Sequence, residues 1–148
     1  MRIVISSCLL GHKTRYDGQS KPVALPPQFA DAELIPFCPE VAAGFGVPRE
    51  PIELTEEGGG GKVRVVRVRD RVDVTARLVA ACEKEIARLK AEVGQIDLFV
   101  LKSRSPSCGL EAPLRDEGGV ETGKAAGVWA ALVRAHFPQA RIVSESEF

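Results

Sequence analysis

Residues 96–109 read IDLFVLKSRSPSCG. The first seven, Ile96 to Lys102, form an apolar run too short for a core helix and suited to a strand buried on both faces. Three serines, a proline, a cysteine and a glycine follow at once. A strand buried on both faces belongs to a parallel sheet covered on its two sides. In such sheets ligand sites gather in the crevice beyond the carboxyl ends of the strands. The stretch therefore predicts an α/β fold and marks where a site would lie.

Three similar runs flank it. RIVIS (2–6) reads as a short buried strand, AELIPFCPE (32–40) as another ended by Pro39, and ARIVSE (140–145) as a last one. TARLVAACEKEIARLKAEV (75–93) has helical periodicity, with Thr75 as N-cap and Gly94 at the position just past the end. TGKAAGVWAALVRAHF (122–137) reads as a second long helix stopped by Pro138. KVRVVRVRD (62–70) and RVDVT (71–75) alternate apolar and charged residues around Asp70-Arg71, which predicts a hairpin. The alternation slips at Val65-Val66, where a bulge is expected. EEGGGG (56–61) reads as a flexible tip, and EEGGGGKV lacks the Ser or Thr and the first Gly of a phosphate-binding loop. The expectation is one domain over residues 1–148. Its fold class is α/β, with a largely parallel, Rossmann-like sheet flanked by helices, plus a β-hairpin.

Bulk properties narrow the function. Lys plus Arg equal Asp plus Glu at 20 each, so charge offers no dedicated nucleic-acid or polybasic membrane surface. No apolar run approaches the roughly 20 residues that span a bilayer, and MRIVISSCLL lacks the features of an export signal. A cytoplasmic setting is expected, where thiols stay reduced, so the four cysteines are not read as a disulfide frame.

Cys8, Cys38 and Cys108 each lie just past a predicted strand, beside Pro or Gly turn chemistry. If the strands are parallel, three thiols distant in sequence converge on one sheet edge. Cys82 is in phase with Leu78, Ile86, Leu89 and Val93, the core-facing stripe of its helix, and reads as a small buried hydrophobe. Converging thiols suit a zinc site, although no C-x-x-C supplies two ligands from one turn. They also suit an iron–sulfur cluster in which three thiolates leave one iron open to a soft ligand. Three ordinary reduced thiols are the third reading.

ISSCLLG (5–11), RYDG (15–18), CPE (38–40), VPREP (47–51), DVT (73–75) and LKSRSPSCG (101–109) occur in this order over nearly the whole chain. The set resembles the DUF523 family, whose characterised members are thiouracil desulfidases. The resemblance implies an α/β domain holding an oxygen-sensitive four-iron, four-sulfur cluster on Cys8, Cys38 and Cys108. It also implies removal of sulfur from a thiolated pyrimidine to give uracil and sulfide. Relatives with an extra domain act on thiouridine in transfer RNA. Within 148 residues a small-molecule thiopyrimidine is the expected partner, with no nucleic acid and no membrane. Ser7 stands where the family often has Ala. After Cys108, LEAPLRDEGGVETGKAAG (110–127) replaces a family segment carrying Tyr-Asp-Gly and an aromatic. If that segment walls the pocket, it bears on which base is accepted.

Exchanging C=S for C=O at constant oxidation level needs a Lewis acid for sulfur, an activated water and a proton for the leaving sulfide. The open iron of the implied cluster would be the Lewis acid. Glu40, two residues past Cys38, is the candidate general base; its other reading is a solvated loop carboxylate or a cap. Ser103 is the candidate for orienting water or supplying the proton. Arg49 is expected to hold a pyrimidine carbonyl, or else to pair with Glu50 or Glu53, and Ser105 to contact the substrate. Ser103, Ser105 and Ser107 together offer small donors to cluster sulfurs, Pro106 stiffens the loop and Gly109 permits close backbone approach. Asp17 reads as a turn residue, His12 as an exposed loop histidine rather than a fourth ligand, and His136 as a helix-end residue. A non-enzymatic sulfide or iron–sulfur carrier and a zinc-dependent hydrolase use the same three thiols and remain as alternatives.

Overall fold

The structure, a computed structural model, describes residues 1–57 and 61–148. In chain order its elements are β1 (Arg2–Ser6), β2 (Glu33–Phe37), α1 (Pro39–Ala42), β3 (Ile52–Glu57), β4 (Lys62–Arg67), α2 (Thr75–Arg88), β5 (Leu98–Leu101), β6 (Ala112–Arg115), β7 (Glu121–Ala125), α3 (Val128–His136) and β8 (Arg141–Ser144). A 3-10 turn, Ser7–Leu10, follows β1 directly. All four residues of β5 are buried, as are four of the five in β1.

The strands form two sheets. The first has the order β2-β1-β5-β8, and every pair in it is parallel. The connection from β1 to β2 runs one way and that towards β5 the other, so the order reverses at β1. Parallel strands buried on both faces explain why their sequences are nearly continuous apolar runs. One face packs Val4, Phe37, Phe99 and Leu101 against Cys82 and Ile86 of α2, Leu89 of the turn that follows it, and Trp129, Ala130 and Val133 of α3. The other face packs Ile3, Ile5, Leu98 and Val100 against Leu9, Phe29 and the irregular chain between β1 and β2. One face is therefore covered by helices and the other by coil, a departure from a sheet with helices on both sides.

The second sheet has the order β4-β3-β6-β7, antiparallel except for β3 with β6. It corrects three sequence expectations. The hairpin partner of β4 is β3, reached through residues 57–62, and not the chain beyond Asp70-Arg71. At that second turn Arg71 has a φ of 59°, but only an isolated bridge between Val66 and Asp73 follows. The IELTEE stretch of β3 carries three carboxylates, which hid it as a strand. Of the EEGGGG tip, residues 58–60 lie outside the described residues.

The expected bulge at Val65-Val66 is absent, because β3 and β4 keep register from Ile52↔Arg67 to Glu57↔Lys62. Both valines are buried, on opposite faces of the strand, and burial on two faces produces the slip in alternation. A register shift occurs instead at Leu114/Arg115, between β6 and β7.

The second helix is shorter than its pattern. Residues 121–125 pair with β6 as a strand, and α3 begins only at Val128. Lys and Ala favour a helix, but sheet pairing overrides a propensity worth a few tenths of a kcal/mol per residue, about. The first helix ends as expected: a π-helical turn at Leu89–Val93 leads to Gly94 at φ 85°. Its start differs. The Thr75 hydroxyl accepts from Val65 N–H at 2.8 Å, so it binds the strand, while Asp73 Oδ1 accepts the Thr75 N–H at 2.8 Å. Near its start α2 places Leu78 against the second sheet; further along it places Cys82 and Ile86 against the first. One helix thus joins the two sheets. Among the described residues no helix is long and apolar enough to cross a membrane.

Candidate active site

A cavity of about 480 Å³ opens at the carboxyl end of the first sheet, where the strand order reverses. Cys8 reaches it from the turn after β1, Cys38 from the end of β2, and Cys108 from the loop after β5. All three are free thiols; Cys8 and Cys108 are buried and Cys38 is partly so. Burial pushes each thiol up from its ordinary pKa. A Cys38 thiolate would push Cys8 and Cys108 further up. Metal ligation must therefore displace protons from these sulfurs. Cys82 lines no part of the cavity and is fully buried on α2. Burial, with smaller contributions from Glu83 and Cys38, pushes it up to about 12.

The remaining candidates meet at the same place. Glu40, the second residue of α1, is 7% exposed, so it is not a solvated loop carboxylate. Its Oε1 accepts from Arg49 Nε at 3.0 Å and its Oε2 from Ser107 Oγ at 2.8 Å. Arg49 also donates through Nη1 to Gly46 O at 2.9 Å. It pairs with neither Glu50 nor Glu53, which take Arg69 and Arg71. Ser105 Oγ accepts from Ser107 N–H at 3.3 Å and Cys108 N–H at 3.1 Å, and it lies 3.1 Å from Ser107 Oγ. Serine at this position closes the loop around the cysteine that follows. Ser103 lines the cavity with its hydroxyl bonded to Glu145 at 2.6 Å.

The loop is held from behind. Gly127 N–H donates to Gly109 O at 2.8 Å and Trp129 N–H to Ser107 O at 2.7 Å. A Cβ on Gly127 would come within 2.6 Å of the Ser107 carbonyl carbon, and one on Gly109 within 2.8 Å of Ser105 O. Close backbone approach is thus required at both glycines.

Sequence reasoning missed several cavity residues. Arg15, Lys21, Lys102 and Arg104 join Arg49, so among the described residues five basic side chains line the cavity and Glu40 is its one carboxylate. RYDG carried a signal for Arg15 and Tyr16: its Asp17 makes the expected turn by accepting Gln19 N–H at 3.0 Å, and Tyr16 O receives the Arg49 N–H. Glu145 carried none, since it contacts Ser103 from 42 residues away. His12 and His136 are exposed and lie outside the cavity. The atypical segment 110–127 forms β6 and β7 and does not line the cavity. The basic stretch around β4 is neutralised locally, with Arg64 on Asp73, Arg67 on Asp70, Arg69 on Glu50 and Arg71 on Glu53.

The donor set discriminates between metals. Among the described residues, no group of three or more His, Cys, Asp or Glu is arranged to hold a metal ion. Three soft thiols spread around one volume instead suit a polynuclear cluster, in which each ligand meets a different iron. The excess of basic side chains suits an anionic occupant.

A model of the 2-thiouracil desulfurase family matches residues 3–146. The chain is 32% identical to the uncharacterized protein YbbK of Bacillus subtilis (strain 168), over 98% of its own length and 96% of the relative's. It superposes on a solved [4Fe-4S]-dependent thiouracil desulfidase, TudS (DUF523Vcz), with a TM-score of 0.79 and 34% identity, covering 99% of this chain and 92% of that one.

Proposed function

Because the chain belongs to the 2-thiouracil desulfurase family, we propose that it is a four-iron, four-sulfur-dependent desulfidase converting a thiolated pyrimidine and water into the oxo-pyrimidine and hydrogen sulfide. The observation that carries this reading is the convergence of Cys8, Cys38 and Cys108 on one cavity that also holds the buried carboxylate of Glu40. Cys8, Cys38 and Cys108 would hold the cluster, which when bound supplies a Lewis-acidic iron without a protein ligand for the substrate sulfur.

The chain's own residues do the rest. Arg49 and Ser107 occupy one lone-pair site on each Glu40 oxygen, leaving the others for a water. Glu40 takes the proton from that water as it adds to the thiocarbonyl carbon and returns one to the departing sulfide. Among the described residues Arg49 Nη2 has no partner, and it would take a pyrimidine carbonyl. Ser105 borders the substrate while its oxygen shapes the ligand loop. Oxidation level is unchanged throughout, so the reaction consumes no electrons. Local neutralisation of the basic hairpin favours a small molecule over an RNA phosphate backbone.

Anaerobic reconstitution with iron and sulfide tests the reading. The expected result is a brown protein carrying four irons per chain on the cubane stoichiometry, about, that converts thiouracil into equimolar uracil and sulfide over many turnovers. Sulfide release without catalytic uracil formation would leave a sulfur carrier. Full activity on zinc alone would leave a hydrolase.

A further inference from the structure

Glu145, the residue after β8, is hydrogen-bonded to Ser103, which lines the cavity. Its Oε1 accepts from Ser103 Oγ at 2.6 Å, and its Oε2 accepts from Ser103 N–H at 2.7 Å and Ser144 Oγ at 3.3 Å. Lys102 Nζ lies against both partners, 3.3 Å from Glu145 Oε1, 3.2 Å from Ser103 Oγ and 2.8 Å from Ser103 O. The Glu145 and Lys102 side chains are only 14% and 20% exposed. Burial by itself would raise the Glu145 pKa, but hydrogen bonds from the Ser103 hydroxyl and N–H, with Lys102, outweigh it and hold the carboxyl below its ordinary range. The chain bends sharply just after Ser103, where Arg104 adopts a φ of 62°, a conformation that L residues rarely take.

This arrangement fixes a direction. A carboxylate only accepts hydrogen bonds and an ammonium only donates them, whereas a hydroxyl has one proton and two lone pairs. The Ser103 proton is committed to Glu145 and one lone pair to Lys102. The second lone pair has no partner among the described residues, and Ser103 lines the cavity.

We propose that Lys102 and Glu145 set the Ser103 hydroxyl as a hydrogen-bond acceptor in the cavity, and that Ser103 thereby selects pyrimidines carrying a proton on N3, the ring nitrogen beside the reacting carbon. The proposal rests on the desulfidase reading and adds a substrate requirement to it. A uracil-type ring presents N–H at N3; a cytosine-type ring presents a lone pair there. Two acceptors facing each other in a partly buried site leave both unpaired, which a polar site rejects strongly. Glu145 touches no substrate in this scheme and is a positioning residue.

Glu145→Gln tests it, because the shape is kept while one oxygen becomes an NH2. With the remaining oxygen on the Ser103 N–H, the NH2 donates to Ser103 Oγ and turns the hydroxyl proton towards the cavity. Calorimetry on the cluster-loaded wild type should give uracil an affinity about tenfold or more above cytosine, the value of one well-made polar contact. Glu145→Gln should bring the ratio to unity or invert it, and KM for thiouracil should rise more than kcat falls. Ser103→Ala, which leaves the Ser103 N–H bond to Glu145 in place, should also lose the selection. Equal loss of affinity for both bases in Glu145→Gln would overturn the proposal, as would an unchanged wild-type ratio in Ser103→Ala. Selection of uracil that depends on Glu145 in a protein unable to turn over thiouracil would remove the desulfidase reading and leave the selection standing. Turnover of thiouracil by a wild type that binds both bases equally would remove the selection alone.

Discussion

Cys82 and Cys108 are both buried thiols with raised pKa values, yet their surroundings assign them opposite roles. Cys108 has Ser107 Oγ 3.9 Å from its sulfur and a cavity in front of it. Cys82 has only the apolar packing of α2 against α3 and the first sheet. Cys82→Ala should therefore assemble a full cluster and lose about 1 kcal/mol of stability from the missing buried sulfur. Ala at Cys8, Cys38 or Cys108 should abolish assembly, read as iron content and visible absorbance. Loss of the cluster in Cys82→Ala with its retention in one of the other three would reverse the assignment. Glu40→Gln keeps a shape that Ser107 and Arg49 can still hold, so the cluster should form and thiouracil should bind. Turnover should fall by about 10²–10⁴, the contribution of a positioned acid–base group. A Gln variant with normal turnover would make Glu40 a structural partner of Arg49.

Elements act on the site through their ends. The start of α3 is pressed against the ligand loop, with Gly127 in backbone contact with Ser107 and the Trp129 N–H bonded to its carbonyl. Gly127→Ala would drive a methyl into that carbonyl. Relief by shifting the loop should cost about 1–3 kcal/mol, the usual penalty of overpacking, and lower iron loading. A urea midpoint and an iron assay on one preparation check both, and wild-type values in each would show that the loop can yield without cost.

The start of α2 depends on Asp73, which accepts from Thr75 N–H and from Arg64 Nε, each at 2.8 Å. Burial alone would raise the Asp73 pKa, but the bonds from Arg64 and Thr75 outweigh it and bring it down to about 2. The folded value lies below the unfolded value of about 3.9. The contribution of Asp73 is thus fully present above about pH 4 and is lost as the pH falls towards 2. The difference in urea midpoint between wild type and Asp73→Ala should shrink across that window. A difference that stays constant from pH 5 to pH 2 would exclude the carboxylate as its source.

Across the whole molecule, the candidate ligands tie together β1, β2 and β5, three adjacent strands of one parallel sheet. A group bound by all three stabilises the folded chain by mass action, since the unfolded chain presents no such site. Anaerobically loaded protein should melt at a higher temperature than the same protein stripped by a chelator, in a calorimetric scan. Equal melting temperatures would mean that the ligands do not bridge the strands. The second sheet contributes to the cavity through its approach to β3: Arg49 precedes that strand, and Pro51 and Ile52 line the wall. The helix α2 packs on both sheets, with Leu78 against the second and Cys82 and Ile86 against the first.

The sequence by itself determined the parallel sheet, the buried strands that build it and the three thiols at their ends. Apolar runs such as Ile96 to Leu101 leave a strand no other place than a covered sheet, and residues just past parallel strands must share an edge. It also carried Cys82 into the core, by helical phase alone. The second sheet was less legible. IELTEE looks like exposed charge and TGKAA like helix, and only pairing with partners far along the chain makes strands of them. Pairing energy comes from neighbours that local propensity does not contain. The same limit applied to the site. Glu40 and Ser103 were visible beside their motifs, but the contacts that set their chemistry come from Ser107, 67 residues from Glu40, and Glu145, 42 residues from Ser103. Chain folding alone creates hydrogen bonds between such distant residues, so the tertiary structure decided which proton each group holds and which way it points.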